Sequence, residues 1–248
     1  RRLCRTPLDV LLQDELNHPS VVWLNRRLKR HMHYPLVSIV HHMRCSEARS
    51  AWQNRMYGWV ERHCLVTLDG LIFNSQTTRR AVEDMIGAST PAVVAPPGGD
   101  RLQPSLSPEQ ILARAHESGP LRVVFVGSLT ARKDLHTVLD GLIRLPRDSW
   151  QLDVVGSLHM DPVYVESIRR RLSQAGLTSL VRLLGVLSDT DLATHLAHSH
   201  LLAVPSSYEG FGIVYLEGLG FGLPAIASTS GAAGEIIRHG QDGFLIPP

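Results

Sequence analysis

The sequence predicts an α/β protein made of two doubly wound parallel sheets. Short apolar, β-branched runs alternate with longer amphipathic stretches through both halves of the chain, the rhythm of strands connected by crossover helices. A connector rich in proline and serine separates two such series. The 248 residues, 44% of them hydrophobic, suffice for two cores.

In the first series the expected strands are Leu8-Val10-Leu11-Leu12, Leu36-Val37-Ser38-Ile39-Val40, Gly70-Leu71-Ile72-Phe73 and Ala92-Val93-Val94-Ala95. Helical patterns fall between them, near 19–31, 47–64 and 76–86. Pro96-Pro97-Gly98-Gly99 ends the last strand, and one short helix near 107–117 interrupts the connector. The second series has strands at Leu121–Val126, Gln151–Val155, Val181–Leu184, Leu201–Val204, Pro224–Ala227 and Phe244–Ile246, with helices between them. This gives a domain over 1–104, a linker over 105–120 and a domain over 121–248. In doubly wound sheets ligands bind beyond the carboxyl ends of the strands, so the loops that follow the strands are where chemistry is expected.

Composition narrows the function classes. A net charge of +2 with neutral histidines provides no global basic field for nucleic acid, so no nucleic-acid partner is expected. Basic residues nevertheless cluster early: Arg1, Arg2, Arg5, Arg26, Arg27, Lys29 and Arg30. They fit either a solvated helix face or a peripheral contact with an anionic membrane or acceptor. Cys4, Cys45 and Cys64 are odd in number and lack ligand spacing, which points to buried thiols in a reducing compartment, not to a zinc site. No apolar run reaches the roughly 18 residues of a spanning helix, and no signal peptide is recognisable, so a cytoplasmic location is expected. The chain opens on Arg1 and stops at Pro248, and reads as part of a longer protein.

The strongest motif follows the strand at 201–204: Pro205-Ser206-Ser207-Tyr208-Glu209-Gly210-Phe211-Gly212-Ile213-Val214-Tyr215-Leu216-Glu217-Gly218. Two carboxylates stand eight positions apart around a glycine-bracketed turn. A helix starting near Phe211 to Ile213 would present free N–H groups and the positive end of its dipole to a diphosphate. Glu209 would then lie in the loop beside that anion and Glu217 about a turn inside the helix, each able to accept from a sugar hydroxyl. From spacing alone, a structural helical Glu217 and a dipole-favoured Glu209 are equally good readings.

The segment PSSYEGFGIVYLEGLGFGLPAIASTSGAAGEIIRHGQDGFLIPP resembles the donor-site signature of the family-4 retaining glycosyltransferases, whose fold is GT-B: two Rossmann-like domains facing a cleft. The likeness extends through VVFVGSLTARKDLHTVLDGL, LDVVG, VRLLGVLSDTDL and LLAVPSSYEG, covering essentially all of 121–248. It implies hexose transfer from a nucleotide diphosphate sugar, UDP- or GDP-linked, to a hydroxyl of a glycan, lipid or small molecule. It further implies that Glu209 contacts the transferred sugar and Glu217 the ribose, that Gly210, Phe211, Gly212 and Ile213 meet phosphates or sugar, and that the backbone of Val186 meets the base.

After the strand at 121–126 come Gly127, Ser128, Arg132 and Lys133. Fixed cations stabilise the charge that gathers on a leaving diphosphate. Lys133 matches the diphosphate-binding lysine of the family. Many members carry arginine where this chain has Ser128, which leaves Arg132 as a candidate substitute. The Asp189-Thr190-Asp191 string precedes a helical stretch and reads as a cap, so neither a metal nor any other cofactor is expected beyond the nucleotide sugar.

In the first half, LVSIVHH resembles the family strand that ends in a cleft-facing histidine, here His41, for which a functional and a structural role are equally good readings, and GLIFNSQTTRRAVEDMI places Ser75 at a strand end. His18 and Glu47 also fall near strand ends. Three rivals remain: a non-catalytic sugar-nucleotide-binding protein, and an epimerase or a phosphorylase of the same fold. The Rossmann fingerprint of dinucleotide oxidoreductases is missing.

Overall fold

The computed structural model describes residues 7–47 and 49–248. Arg1, Arg2, Cys4 and Arg5, singled out above, lie outside them. Two units emerge: residues 1–97 together with Glu209–Phe211, and residues 98–208 with 212–248.

The first unit holds a four-stranded parallel sheet in sequential order, β1 (Leu11–Asp14), β2 (Leu36–Val40), β3 (Gly70–Phe73) and β4 (Ala92–Val94). The connecting helices are α1 (His18–Leu28), α2 (Ala51–Leu65) and α3 (Gln76–Ile86). Right-handed crossovers between strands that advance in one direction put all three helices on the same face of this sheet. Leu36, Val40, Met43, Leu65, Leu68, Leu71, Phe73 and Val82 form the core.

Two boundaries depart from the expectation. Strand β1 begins at Leu11 and not Leu8, because its ladder with β2 pairs Leu11 with Leu36, while Leu8 and Val10 stay exposed. Helix α2 begins at Ala51 and not near 47: Ser50 N donates to Gln53 Oε1 at 3.3 Å, the reciprocal half of a capping box that stops the helix from extending backwards.

The second unit is a six-stranded parallel sheet of β5 (Leu121–Val126), β6 (Trp150–Val155), β7 (Val181–Gly185), β8 (Leu201–Val204), β9 (Ala225–Ser228) and β10 (Gly243–Ile246). Their spatial order is β10-β9-β8-β5-β6-β7. The direction of winding reverses between β5 and β8, which are paired neighbours. Helices α5 (Leu135–Leu142), α6 (Pro162–Gln174), α7 (Asp189–His198) and α8 (Ile213–Gly220) cover the sheet. The connector's helix α4 (Pro108–Ala115) belongs to this unit too. Its Arg114, 6% exposed, donates to the carbonyls of Ala197, Phe221 and Gly222. These bonds satisfy a carbonyl in the last turn of α7 and two just past the end of α8, and offset the cost of burying a guanidinium.

Candidate functional site

In such a sheet the general place for a ligand is beyond the carboxyl ends of the strands at the point where the winding reverses, here between β5 and β8. Three segments of the second unit follow its strand ends: 127–134 after β5, the turn after β7, and 205–208 after β8.

The loop after β5 is pinned by its own backbone. Gly127 N donates to Val155 O at 2.8 Å and Leu129 N to Ser157 O at 2.9 Å. Gly156, which follows β6, makes this possible. A Cβ there would stand 2.1 Å from Gly127 O and 2.9 Å from Ser128 N, and the residue's φ of +143° is one that side chains rarely tolerate. Ala131–Lys133 then forms a 3-10 turn, and the aliphatic part of Lys133 lies over Gly127. Arg132 reaches the third loop: its Nη1 donates to Tyr208 O at 2.8 Å, and its carbonyl accepts from Ser207 N at 2.8 Å. Gly127, Ser128, Arg132 and Lys133 are therefore brought together, with the two cationic residues next to the loop that carries the double-glutamate motif.

Helix α8 begins where the motif predicts. Gly212, in the left-handed region at φ +93°, is its N-cap, and Ile213 is its first residue. The helix is anchored to its strand by Tyr215, whose hydroxyl donates to Val204 O at 2.7 Å. Glu217 lies one turn inside, and its side chain is only 4% exposed. Arg101 holds it, with Nε 3.0 Å from Glu217 Oε1, while Nη1 of the same guanidinium reaches Asp189 Oδ1 at 2.9 Å. Reading the sequence missed this arginine, since its partners lie 88 and 116 positions away. Close approach delivers it: a Cβ on Gly99 would stand 2.8 Å from Leu216 Cβ, so only glycine lets the connector run this near α8.

Val186 follows Gly185 at the end of β7 and is 75% exposed, which leaves its surroundings open to a flat ligand. The aspartate string beyond it acts as expected of a helix start: Ser188 Oγ accepts from Asp191 N at 3.1 Å. Among the described residues no group of three or more His, Cys, Asp or Glu is placed to hold a metal ion.

Glu209, Gly210 and Phe211 cluster with the first unit. Gly210 O accepts from Ser75 Oγ at 2.8 Å and from Thr78 Oγ1 at 3.2 Å. Ser75 also caps α3 through Thr78 N. His41, just past β2, is half exposed, and its Nε2 lies 3.4 Å from Asp14 Oδ2. Its carbonyl accepts from Asn74 Nδ2 at 2.7 Å.

Around it stand several ionisable groups. Glu15 accepts from His42 N, yet burial is the larger influence and raises its carboxyl above the usual range. Glu47 is opposed by burial, but hydrogen bonds from His42 and Arg49 outweigh that and lower it. His18 is buried and 3.0 Å from Ser38 Oγ, and desolvation pushes it down to about 4. His18 is therefore a neutral core histidine at ordinary pH. Glu47 is tied to His42 and Arg49.

Residues 108–248 match the family described as glycosyl transferases group 1. The chain belongs to this family. Over 190 residues it is 29% identical to a GDP-mannose-dependent alpha-(1-6)-phosphatidylinositol monomannoside mannosyltransferase of Mycobacterium tuberculosis, covering 72% of this chain and 48% of that protein. It is 26% identical to a glycogen synthase of the same organism over 238 residues, covering 93% of this chain and 54% of that one. The chain thus spans about half the length of these curated relatives.

Among solved structures, Anabaena HepE in complex with UDP is 25% identical with a TM-score of 0.78, over 97% of this chain and 65% of that one. Sucrose-phosphate synthase from Thermosynechococcus elongatus, 22% identical with a TM-score of 0.80, shares the fold over 97% of this chain and 61% of its own. The architecture is GT-B, an α/β fold with two parallel sheets.

Proposed function

We propose that the protein is a retaining glycosyltransferase that moves a hexose from a UDP- or GDP-linked donor to an acceptor hydroxyl without a divalent metal. One observation carries the reading: the loop holding Arg132 and Lys133 is bonded directly to the loop that leads into α8, at the point where the second sheet reverses its winding. Membership of the family over the same residues supports it.

In this reading the donor is bound mainly by the second unit. The amino terminus of α8, Lys133 and Arg132 receive the diphosphate, Glu217 the ribose hydroxyls and the Val186 turn the base. Glu209 holds the hydroxyls of the transferred sugar and does not attack it. As the bond from the anomeric carbon to the phosphate oxygen breaks, negative charge collects on the diphosphate, and preorganised cations and N–H groups lower that barrier most. The acceptor hydroxyl attacks from the face the diphosphate is leaving, and a phosphate oxygen takes its proton, so the configuration is retained. His41 is assigned to the substrate side of the first unit.

A relative named for a phosphatidylinositol mannoside acceptor supports lipids among the acceptor classes, and one named glycogen synthase supports glycans. A cytoplasmic setting is part of the same proposal; among the described residues Cys45 and Cys64 are free thiols, which burial pushes up to about 12 and about 11. No helix of the described residues is long and apolar enough to cross a membrane.

The test is transfer from UDP- and GDP-hexoses to glycan and lipid acceptors, with chelator present and the product anomer assigned by NMR. Product carrying the donor's own anomeric configuration, formed equally well in chelator, is expected. Inverted product, or activity only with added metal, contradicts the proposal. Nucleotide binding without any turnover of the donor favours the non-catalytic alternative, for which Ser128 in place of the more usual arginine is the specific argument.

A further inference from the structure

Three of the four tryptophans of this protein stand in solvent. Trp150 is 1% exposed, as a large aromatic normally is, whereas Trp23, Trp52 and Trp59 are 67%, 67% and 51% exposed. All three belong to α1 and α2, neighbouring helices on one face of the first sheet.

On α2 the outward positions are Trp52, Arg55, Met56, Trp59 and Arg62, spaced by three and four residues, with Val66 exposed just past the helix end. The inward positions Glu61, Cys64 and Leu65 are buried. On α1 the outward positions are Trp23, Arg26 and Arg27, and Arg30 continues the stripe in the 3-10 turn that follows. The guanidinium of Arg26 lies 5.8 Å from the Trp23 ring. Asn25 and Lys29 of the same segment bond to Thr67, which joins the basic end of α1 to the carboxyl end of α2.

A helix covering a sheet ordinarily turns its polar side to water. Helix α3, on the same face, does so with Gln76, Arg80 and Asp84. Helix α2 instead turns out two indoles and a thioether between arginines. The charge carried by the two helices is mostly of one sign: residues 18–33 contain no Asp or Glu, the single acid of α2, Glu61, is buried and accepts from the backbone N–H of Arg44 and Cys45, and Asp69 beyond α2 pairs with Lys29 at 2.8 Å.

We propose that the outward faces of α1 and α2 form a docking surface for an anionic lipid bilayer. Indole rings settle at the level of lipid headgroups, where the ring is sheltered and its N–H stays wet, and arginine stems extend toward anionic headgroups. A second copy of this chain is disfavoured as the occupant, since two-fold pairing would set Arg26, Arg27, Arg30, Arg55 and Arg62 against themselves. The inference uses residues of the first unit alone and does not depend on the transferase reading.

The experiment is flotation of the chain with vesicles of phosphatidylcholine alone or with about 30 mol % phosphatidylglycerol, alongside tryptophan emission. Binding to the anionic vesicles with a blue-shifted emission is expected, weakening at high salt. Trp52→Ser/Trp59→Ser and Arg26→Glu/Arg30→Glu should each cut the partition coefficient by at least about tenfold while circular dichroism stays that of the parent. Arg144→Glu/Arg169→Glu, an equal change of charge at exposed positions of the second unit, should leave it within about twofold. Four results overturn the proposal: equal binding to both vesicle types, loss of binding in the control pair as large as in Arg26→Glu/Arg30→Glu, unchanged binding in both helix variants, or a dimer that Trp52→Ser/Trp59→Ser splits without affecting vesicle binding.

Discussion

Replacing Gly156 by alanine tests whether the loop after β5 is held in place by close contact with the turn after β6. The added Cβ would stand 2.1 Å from Gly127 O, where an ordinary carbon–oxygen contact is about 3.3 Å. The loop must therefore retreat by about 1 Å, carrying Gly127, Ser128 and the base of Lys133 with it. The left-handed backbone at φ +143° adds strain of about 1–3 kcal/mol. Stability should fall by about 2–4 kcal/mol, read as a lower urea midpoint. A misplacement of that size at a charged site should cost about a hundredfold in kcat/KM. The matched control is Gly141→Ala in α5, where a Cβ meets nothing within 4 Å, and which should stabilise by about 1 kcal/mol and leave donor use unchanged. If Gly156→Ala folds as stably as the parent and uses donor equally well, the contact does not organise the site.

Other substitutions separate the roles of the charged groups. Glu217→Ala should weaken nucleotide-sugar binding by about tenfold or more, and Glu209→Ala should lower kcat strongly while nucleotide affinity survives, both read by calorimetry beside steady-state kinetics. Lys133→Ala should lower kcat by about a hundredfold, since it removes a charge matched to the departing diphosphate; an unchanged kcat would remove Lys133 from the reaction. Arg101→Ala should destabilise the fold by about 2–4 kcal/mol by stranding the buried Glu217 carboxylate, and Arg101→Ala/Glu217→Gln should recover part of that loss. His18 titrates near 6.5 in the unfolded chain and at about 4 in the folded one. Protons therefore bind the unfolded state first, and stability contributed by neutral His18 above that window is lost as pH falls through it, by about 3 kcal/mol in full. Urea melts between pH 7.5 and pH 4 should show that extra slope in the parent and not in His18→Gln.

The architecture is legible in the sequence because buried parallel strands are written as continuous runs such as Val123-Val124-Phe125 and because Ser107, Ser188 and Gly212 mark helix starts locally. Strand β1 slipped because Leu8, Val10 and Leu12 are apolar yet exposed, and only pairing with β2 fixes its register. At the candidate site, residues carried by motif could be named in advance. Arg101 and Gly156 could not, since each matters through a partner that the fold alone brings near; a glycine closing Val154-Val155-Gly156 was the one local sign. The outward stripe of α2 was readable from the spacing of Trp52, Met56 and Trp59, but helical periodicity gives a face and not its direction, so three tryptophans pass for core until burial is known.

The most direct test of the donor assignment is calorimetric titration of the chain with UDP, GDP and ADP and their glucose and mannose conjugates, in chelator, beside Lys133→Ala and Glu217→Ala. Saturable binding of one nucleotide family is expected, left intact by chelator and weakened by both substitutions. Binding that vanishes in chelator, or that both variants retain at full strength, would contradict it.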